Sequence, residues 1–383
     1  MSVKNSVIVV GGGIMGVQTA YHLALLGHSV TVLDQRDVPN QWAASGDHLR
    51  VFRLTYGKDS FYTEMALKSL PLWLELNALS EETLLLQNGV LELAPKAGGY
   101  EAHSMAVLEE RKIRFEKLMP PDVKKRYPMY RSGAFKWALF HQDGGMIWAS
   151  RSVAATASIA QRKGVNIRNG VRVVSIQKDK NGIKSVKDAA GKVWEAEKFV
   201  FTAGYWSNEL LKPWGIPIKI TKQEQLFLRP QIGRGRYRPE HFPVFSSQVG
   251  GFYGFPVHIQ GFIKIGDHRR GPVVKTANPD EMRTMTPKFE KSCRKFLKQY
   301  IPELATFVDF EGHICWYDNT PDNDFIMDRL PDAPNSFVAA GFSGHGFKFA
   351  PIVGKSMAEL IVGGKSELNL HRFRFGRFKL KKR

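Results

Sequence analysis

The sequence predicts an α/β (α+β) fold: a dinucleotide-binding domain assembled from discontinuous segments, with a second, strand-rich domain set between them. Three observations predict it. They are a strand, glycine-rich turn, helix, strand and acid in order from Ser6 to Asp34; a return to alternating strand and helix after Asp143; and a strand-dominated stretch from Ile216 to Ile265. The expected boundaries are 1–85, 146–215 and 311–383 for the first domain, and 86–145 and 216–310 for the second.

The first element is the most informative. Val7, Ile8, Val9 and Val10 form an apolar β-branched run, as in a strand buried on both faces, and it feeds into Gly11, Gly13 and Gly16 at G-x-G-x-x-G spacing. The following residues carry apolar positions near helical period (Ile14, Ala20, Leu23, Leu25). Gly27 stands where a helix would end, and Ser29 to Leu33 reads as the next strand. One glycine permits the tight turn, one lets the backbone approach a pyrophosphate, and one lets helix and strand pack closely. The helix N-terminus then faces the phosphate charge. Asp34 lies where a carboxylate accepts from ribose hydroxyls. Together these features read as a Rossmann-type dinucleotide site, and by themselves they leave NAD and FAD open.

A chain of 383 residues that is 43% hydrophobic is long enough for two cores. No apolar run approaches the roughly 20 residues of a membrane span. The first strand begins at Ser6, which leaves no room for a leader, so a cytoplasmic protein is expected. Two cysteines, Cys293 and Cys315, make no disulfide framework, in keeping with a reducing compartment. The net charge of +19 favours anionic partners, whether substrate, nucleic acid or acidic lipid. Much of it sits in Arg234 to Arg238, His268 to Arg270 and the tail Arg372 to Arg383, all expected as solvated surface.

Beyond Asp34, Gln35 to His48 reads as loop, ending in the segment Gly46 to Gly57 (GDHLRVFRLTYG). There Arg50 and Arg53 share one face if the segment is a helical turn. Ser60 to Leu79 is an amphipathic helix, and Leu84 to Leu93 reads as two strands about an Asn88-Gly89 hairpin turn. A polar helix is expected over Ser104 to Phe115, with loop and short helix from Lys117 to Tyr130. Then come a helix at Ser150 to Lys163, strands within Val165 to Ile176, and a buried strand at Phe199 to Gly204. An amphipathic helix at Phe289 to Tyr300 carries Cys293 as inert core. Ser336 to Ala340 is the last strand, followed by a glycine-rich turn, Gly341 to Gly346, and a helix from Phe347 to Val362.

That turn carries chemistry. Small residues let backbone amides approach a flat ligand, and the helix after them points the positive end of its dipole the same way. A reduced flavin bears negative charge near N1 and the C2 carbonyl, which a helix N-terminus and a cation such as Lys348 would stabilise.

The fingerprint, the RVFRLTYG segment, YGFP at Tyr253 to Pro256, IKIGDH at Ile263 to His268, Cys315 with Thr320-Pro321-Asp322, and GFSGHGFK at Gly341 to Lys348 together resemble the monomeric sarcosine oxidase family. These are the amine-oxidising members of the glycine/D-amino-acid oxidase flavoproteins, and the resemblance runs in order over nearly the whole chain. It implies FAD rather than NAD, and a monomer. Gly11, Gly13, Gly16 and Asp34 would hold the ADP half of FAD, and the backbone of Val173 its adenine side. Gly341 and Gly344 would lie along the flavin, and Arg50 at its side. Cys315 matches the cysteine joined to the flavin 8α-methyl group through a thioether, which would retain the cofactor and raise its potential. Lys264 matches the lysine that assists oxygen, where an ammonium stabilises superoxide. Arg53 and Lys348 match the pair that grips a substrate carboxylate, and such cations lower the pKa of a bound amine. Tyr253, His268, Tyr317 and His345 match residues that line the substrate cavity.

The chain departs from the family in having Ala44-Ser45 where histidines are usual, one extra residue before Arg50, and the bulky Trp316 after the cysteine. The first two changes leave open an exchange of the roles of Arg50 and Arg53, and Trp316 points to a reshaped cavity and to a substrate other than sarcosine. The expected activity is oxidation of the C–N bond of a secondary amino acid that carries a carboxylate, with molecular oxygen reduced to hydrogen peroxide. N-methyl amino acids, cyclic imino acids and sugar-amine adducts are the candidate substrates. The nearest alternative is a dehydrogenase passing electrons to another acceptor. A flavoprotein acting on a modified tRNA base would account for the positive charge, but outside the short tail the sequence has no aromatic-basic interleaving of a nucleic-acid module.

Overall fold

The computed structural model describes residues 5–248, 250–274 and 284–378. The buried strand Ser6–Val10 occupies the middle of a six-stranded sheet. The strand order across that sheet is Ile326–Arg329, Ser336–Ala340, Lys198–Phe201, Ser6–Val10, Ser29–Leu33 and Asn166–Arg168. All neighbours run parallel except the antiparallel edge strand Ile326–Arg329. Both faces of this sheet are covered, one by helices and the other by the three-stranded sheet that includes Gly182–Asp188, with Ile183 and Val186 packed on Ile8 and Val10, hence the unbroken apolar runs. The helix Ile14–Leu25 packs between the helices Ala149–Arg162 and Ala350–Gly363, with Val7, Val9, Val17 and Val353 in one core. Gly27, at φ 79°, takes the left-handed conformation just past its end.

An eight-stranded sheet forms the second body. From one edge it comprises Phe310–Asn319, Lys219–Leu228, Ile263–Asp267, Phe252–Val257, Val244–Ser246, Val90–Ala94, Trp137–His141 and Glu116–Leu118. The helix Pro287–Tyr300 covers it, burying Cys293, Phe296, Leu297 and Tyr300 among Leu226, Phe245 and Ile265, with its lysines outward. Thr286 caps that helix by accepting from the Phe289 amide at 3.2 Å. Two three-stranded sheets complete the fold: Leu49–Phe52, Gly145–Trp148 and Leu85–Leu86; and Val173–Asp179, Gly182–Asp188 and Val193–Glu195. Among the described residues, no helix is long and apolar enough to cross a membrane.

Several local expectations change. Asn88-Gly89 does not make a hairpin, because Leu85–Leu86 pairs with Gly145–Trp148 whereas Val90–Ala94 joins the eight-stranded sheet between two other strands. The Arg50 segment is a strand, Leu49–Phe52, not a helical turn. The helix expected over Ser104 to Phe115 runs over Tyr100–Glu110. The boundary expected between residues 310 and 311 falls inside the strand Phe310–Asn319, which hydrogen-bonds along its length to Lys219–Leu228. The tail, described as far as Phe378, is not simply solvated. Arg372 bridges Asp59 and Asp324, and Arg377 pairs with Asp322.

Candidate active site

One cavity of about 670 Å³ runs from the Rossmann fingerprint to the eight-stranded sheet. At the first end, Gly11 has φ 108°, and a Cβ there would meet the Thr202 carbonyl oxygen at 2.6 Å. A Cβ on Gly16 would lie 1.8 Å from the Gly11 carbonyl oxygen, so this glycine permits the close packing of helix on turn and stands behind the cavity wall. Gly11, Gly13, Asp34 and Val173 do line the wall. Asp34 is already engaged: Oδ2 accepts from the Gly12 amide at 2.7 Å and Oδ1 from the Arg36 amide at 2.9 Å. Those bonds rigidify the turn and fix the carboxylate at the end of its strand.

The far wall is one face of the eight-stranded sheet. In antiparallel pairs, opposed residues share a face, and the register sets Cys315 opposite Gln223, Tyr317 opposite Thr221, Lys264 opposite Phe227, and Gly266 opposite both Gln225 and Tyr253. Cys315, Tyr317, Lys264 and Tyr253 therefore lie on a common face, with His268 just past the end of its strand.

Arg50 lies in the strand Leu49–Phe52 and Arg53 one residue past its end, and the two reach different partners. Arg50 bonds Asp47 Oδ2 at 2.6 Å, and its Nη2 lies 3.9 Å from Cys315 Sγ. Burial pushes the Cys315 thiol up, against the pull of Arg50. Arg53 donates to the Thr55 carbonyl at 2.5 Å and to the Tyr100 hydroxyl, and stands 3.8 Å from the buried carboxylate of Glu92.

Arg53 and Lys348 meet around Tyr56. The guanidinium lies 4.7 Å from the centre of the Tyr56 ring, and Lys348 Nζ donates to its hydroxyl at 2.9 Å and to the His345 carbonyl at 2.8 Å. Trp73 Nε1 and Ser69 Oγ, both from the helix Ser60–Ser80, each donate to the Lys348 carbonyl at 2.7 Å, which locks its backbone. Burial and then Arg53 hold the Lys348 pKa well below its ordinary value. Burial, Arg53 and Lys348 together lower His268 to about 3, and burial with Lys348 pushes His345 well down. This end of the cavity thus combines a fixed guanidinium, a lysine that gains from an anion beside it, and neutral imidazoles, an arrangement suited to a carboxylate.

Three expected site residues are off the wall. Gly341 is occupied elsewhere, its amide donating to Asp318 Oδ2 at 2.8 Å; Gly16 is buried behind the turn; and the Lys264 side chain is fully buried. Lys264 Nζ is held by Asp47 Oδ2 and, at 2.9 Å, by the Leu49 carbonyl. Arg50, Arg53, Tyr253, His268, Cys315, Tyr317, Gly344, His345 and Lys348 all reach the wall.

Sequence reasoning missed Asp47, Tyr56, Glu92, Tyr100 and Asp318. For Asp47 the signal was available: an interior lysine requires an anion, and a Gly-Asp pair precedes the arginines. Asp318 also faces the cavity, and burial lifts it to about 6 against the Gly341 amide. The other three gave no sign in one sequence, because tyrosine and glutamate in such positions ordinarily face solvent or fill core.

The sequence model of the FAD dependent oxidoreductase family matches residues 6–360. The chain belongs to that family. Among its relatives, monomeric sarcosine oxidase of Bacillus sp. (strain NS-129) is 30% identical over 386 residues, covering 100% of this chain and 99% of the relative. Human peroxisomal sarcosine oxidase is 30% identical over 381 residues, covering 97% and 95%. N-methyl-L-tryptophan oxidase of Escherichia coli O139:H28 is 28% identical over 380 residues, covering 98% and 100%. Among solved structures, L-proline dehydrogenase from P. horikoshii superposes with a TM-score of 0.86 at 24% identity over 100% of both chains, a likeness of fold. Fructosamine oxidase (Amadoriase II) from Aspergillus fumigatus gives 0.83 at 25% identity, over 97% of this chain and 89% of that one. Membership in the family implies FAD, and the cavity fits it: a glycine turn with no room for side chains at one end, a long shared wall, and cations at the other.

Proposed function

We propose that this protein is an oxidase of the C–N bond of a secondary amino acid, whether N-methylated, cyclic or a sugar-amine adduct. The observation that carries the reading is the meeting of Arg53 and Lys348 around Tyr56, at the opposite end of one cavity from the dinucleotide turn. The full-length relatives named for sarcosine and N-methyl-L-tryptophan support the same class.

FAD, when bound, would supply the hydride acceptor and the electrons that reduce oxygen. The chain's own residues do the rest. Arg53 and Lys348 take the substrate carboxylate, fixing which C–H faces the cofactor. The same cations lower the pKa of the substrate ammonium, so that it sheds its proton and the nitrogen lone pair becomes available. The neutral imidazoles of His268 and His345 add no further charge. Gly11, Gly13 and Asp34 are proposed to hold the ADP half, Val173 its adenine side, and Arg50 and Gly344 the flavin. Cys315, with Arg50 beside it, is proposed as the thioether anchor.

An anaerobic titration of the purified protein with sarcosine, N-methyl-L-tryptophan, L-proline, L-pipecolate and a fructosyl amino acid tests the reading. One of them bleaches the flavin absorbance, and admission of air restores it with peroxide formed. No bleaching by any of the five would overturn it. A Cys315→Ala variant loses its flavin on acid precipitation; retention would overturn the anchor.

A dehydrogenase is the second reading, favoured by one observation: the Lys264 ammonium is paired with Asp47 and does not reach the cavity wall. Rapid bleaching by substrate with reoxidation over minutes in air would favour it.

A further inference from the structure

A cluster of charges lies at and just behind the cavity wall. Lys264 Nζ, with no exposed side-chain surface, and Arg50 Nη1 converge on a single oxygen, Asp47 Oδ2, while Oδ1 accepts from the His48 amide. One carboxylate therefore serves two interior cations, and the backbone tethers it in place. Burial alone draws a lysine towards its neutral form, and a second cation beside it adds to that pull. Asp47 is the carboxylate that opposes both, beside the neutral Leu49 carbonyl at 2.9 Å.

We propose that Asp47 is a positioning residue for the oxygen reaction: it keeps Lys264 as an ammonium beside the flavin site, so that the charge is present when oxygen is reduced. The inference rests on the proposed oxidase reading and on the role given there to oxygen. In that reaction dioxygen takes two electrons and one proton from the anionic reduced cofactor and one proton from solvent, leaving oxidised cofactor and hydrogen peroxide. The first electron makes superoxide, whose charge an ammonium behind the wall offsets through a low-dielectric medium.

Other groups face this cluster. Besides Arg50, they are His48 and His258 on one side and Cys315 and Tyr253 on the other. Burial lowers both His48 and His258, and burial raises Cys315 and Tyr253, so near neutral pH the four are uncharged. Lys264 is then the group whose charge changes in the working range: burial lowers it to about 8, with Asp47 pulling the other way.

The test compares the wild type with Asp47→Asn, Asp47→Glu and Lys264→Met. Each holoenzyme is reduced by light and mixed with air-saturated buffer between pH 5.5 and 9. In the wild type the rate falls with a midpoint near the Lys264 pKa of about 8. In Asp47→Asn the midpoint moves down by at least about one unit, which at pH 8 lowers the charged fraction about fivefold, and the rate recovers at pH 6. Asp47→Glu restores the wild-type profile.

A second readout does not involve activity. A lysine whose folded pKa lies below its unfolded value makes the protein more stable as pH rises between the two. In Asp47→Asn that rise in the urea midpoint begins at lower pH than in the wild type, and Asp47→Asn/Lys264→Met abolishes the difference. Wild-type profiles for Asp47→Asn in both measurements would overturn the inference while leaving the oxidase reading intact. A Lys264→Met enzyme that reoxidises at the wild-type rate would instead remove the role of the ammonium itself.

Discussion

Gly344 offers a clean perturbation because the molecule contains its own control. Gly344 and Gly364 both have φ 75°, but a Cβ on Gly344 would fall 2.1 Å from Tyr317 Cε2, whereas nothing lies within 4 Å of one on Gly364. An alanine at either position meets the left-handed penalty of about 1–2 kcal/mol. At Gly344 the methyl group must also displace an aromatic ring that faces the cavity. Overpacking of this kind costs about 1–3 kcal/mol. Gly344→Ala is therefore expected to be less stable than the wild type by about 2–5 kcal/mol, and less stable than Gly364→Ala by about 1–3 kcal/mol. Urea unfolding followed by tryptophan fluorescence reads the difference as a shift of midpoint at constant slope. A displaced Tyr317 also intrudes on the cavity, so Gly344→Ala raises KM while Gly364→Ala leaves it unchanged. Equal stability of the two variants within about 0.5 kcal/mol, together with an unaltered KM, would refute the account of Gly344 as a space-maker for Tyr317.

Two further outcomes follow from the charges around the site. Burial raises Glu92 to about 7, against Arg53 and Thr55, so it becomes an anion as pH rises through neutrality and then competes for Arg53. The Kd of a simple carboxylate without an amine, such as butyrate, accordingly weakens between pH 6 and 8 in the wild type, and Glu92→Gln flattens that dependence. Arg372 makes paired bonds of 2.8–3.0 Å to Asp59 and Asp324, and Asp324 also accepts from Tyr62 at 2.9 Å. With the side chain 31% exposed, screening limits the effect, and Arg372→Ala should lose about 1–2 kcal/mol in a urea melt, less in 1 M salt.

What could be read from the sequence was what short-range physics encodes. Four β-branched or aliphatic residues in a row, three glycines at fixed spacing and an acid at the end of the next strand specify a βαβ unit almost without reference to the rest of the chain. The amphipathic pattern around Phe296 and Leu297 likewise placed a helix over the second core. Pairing partners were not encoded this way. Asn88-Gly89 has the chemistry of a hairpin turn, but Leu86 and Val90 are claimed by different sheets, and nothing within ten residues reports that. The arginine segment was read with a helical period, whereas it is a strand that ends just before Arg53, and Arg50 reaches Asp47 while Arg53 reaches Tyr100. Lys264 was singled out by its motif, but its pairing behind the wall involves Asp47, a residue 217 positions away.

The strand Phe310–Asn319 is paired with Lys219–Leu228 without a bulge from end to end, and it carries Cys315, Tyr317 and Asp318. Side chains alternate along it, so a one-residue insertion or deletion would exchange the positions of Cys315 and Trp316, and of Tyr317 and Asp318, and dismantle the far wall in a single step. Along this strand, descendants of this protein can therefore change only by substitution. Length variation is left to the loops beyond it, which makes this strand the part of the lineage where alignment gaps should be absent and where new substrate preferences should be written one residue at a time.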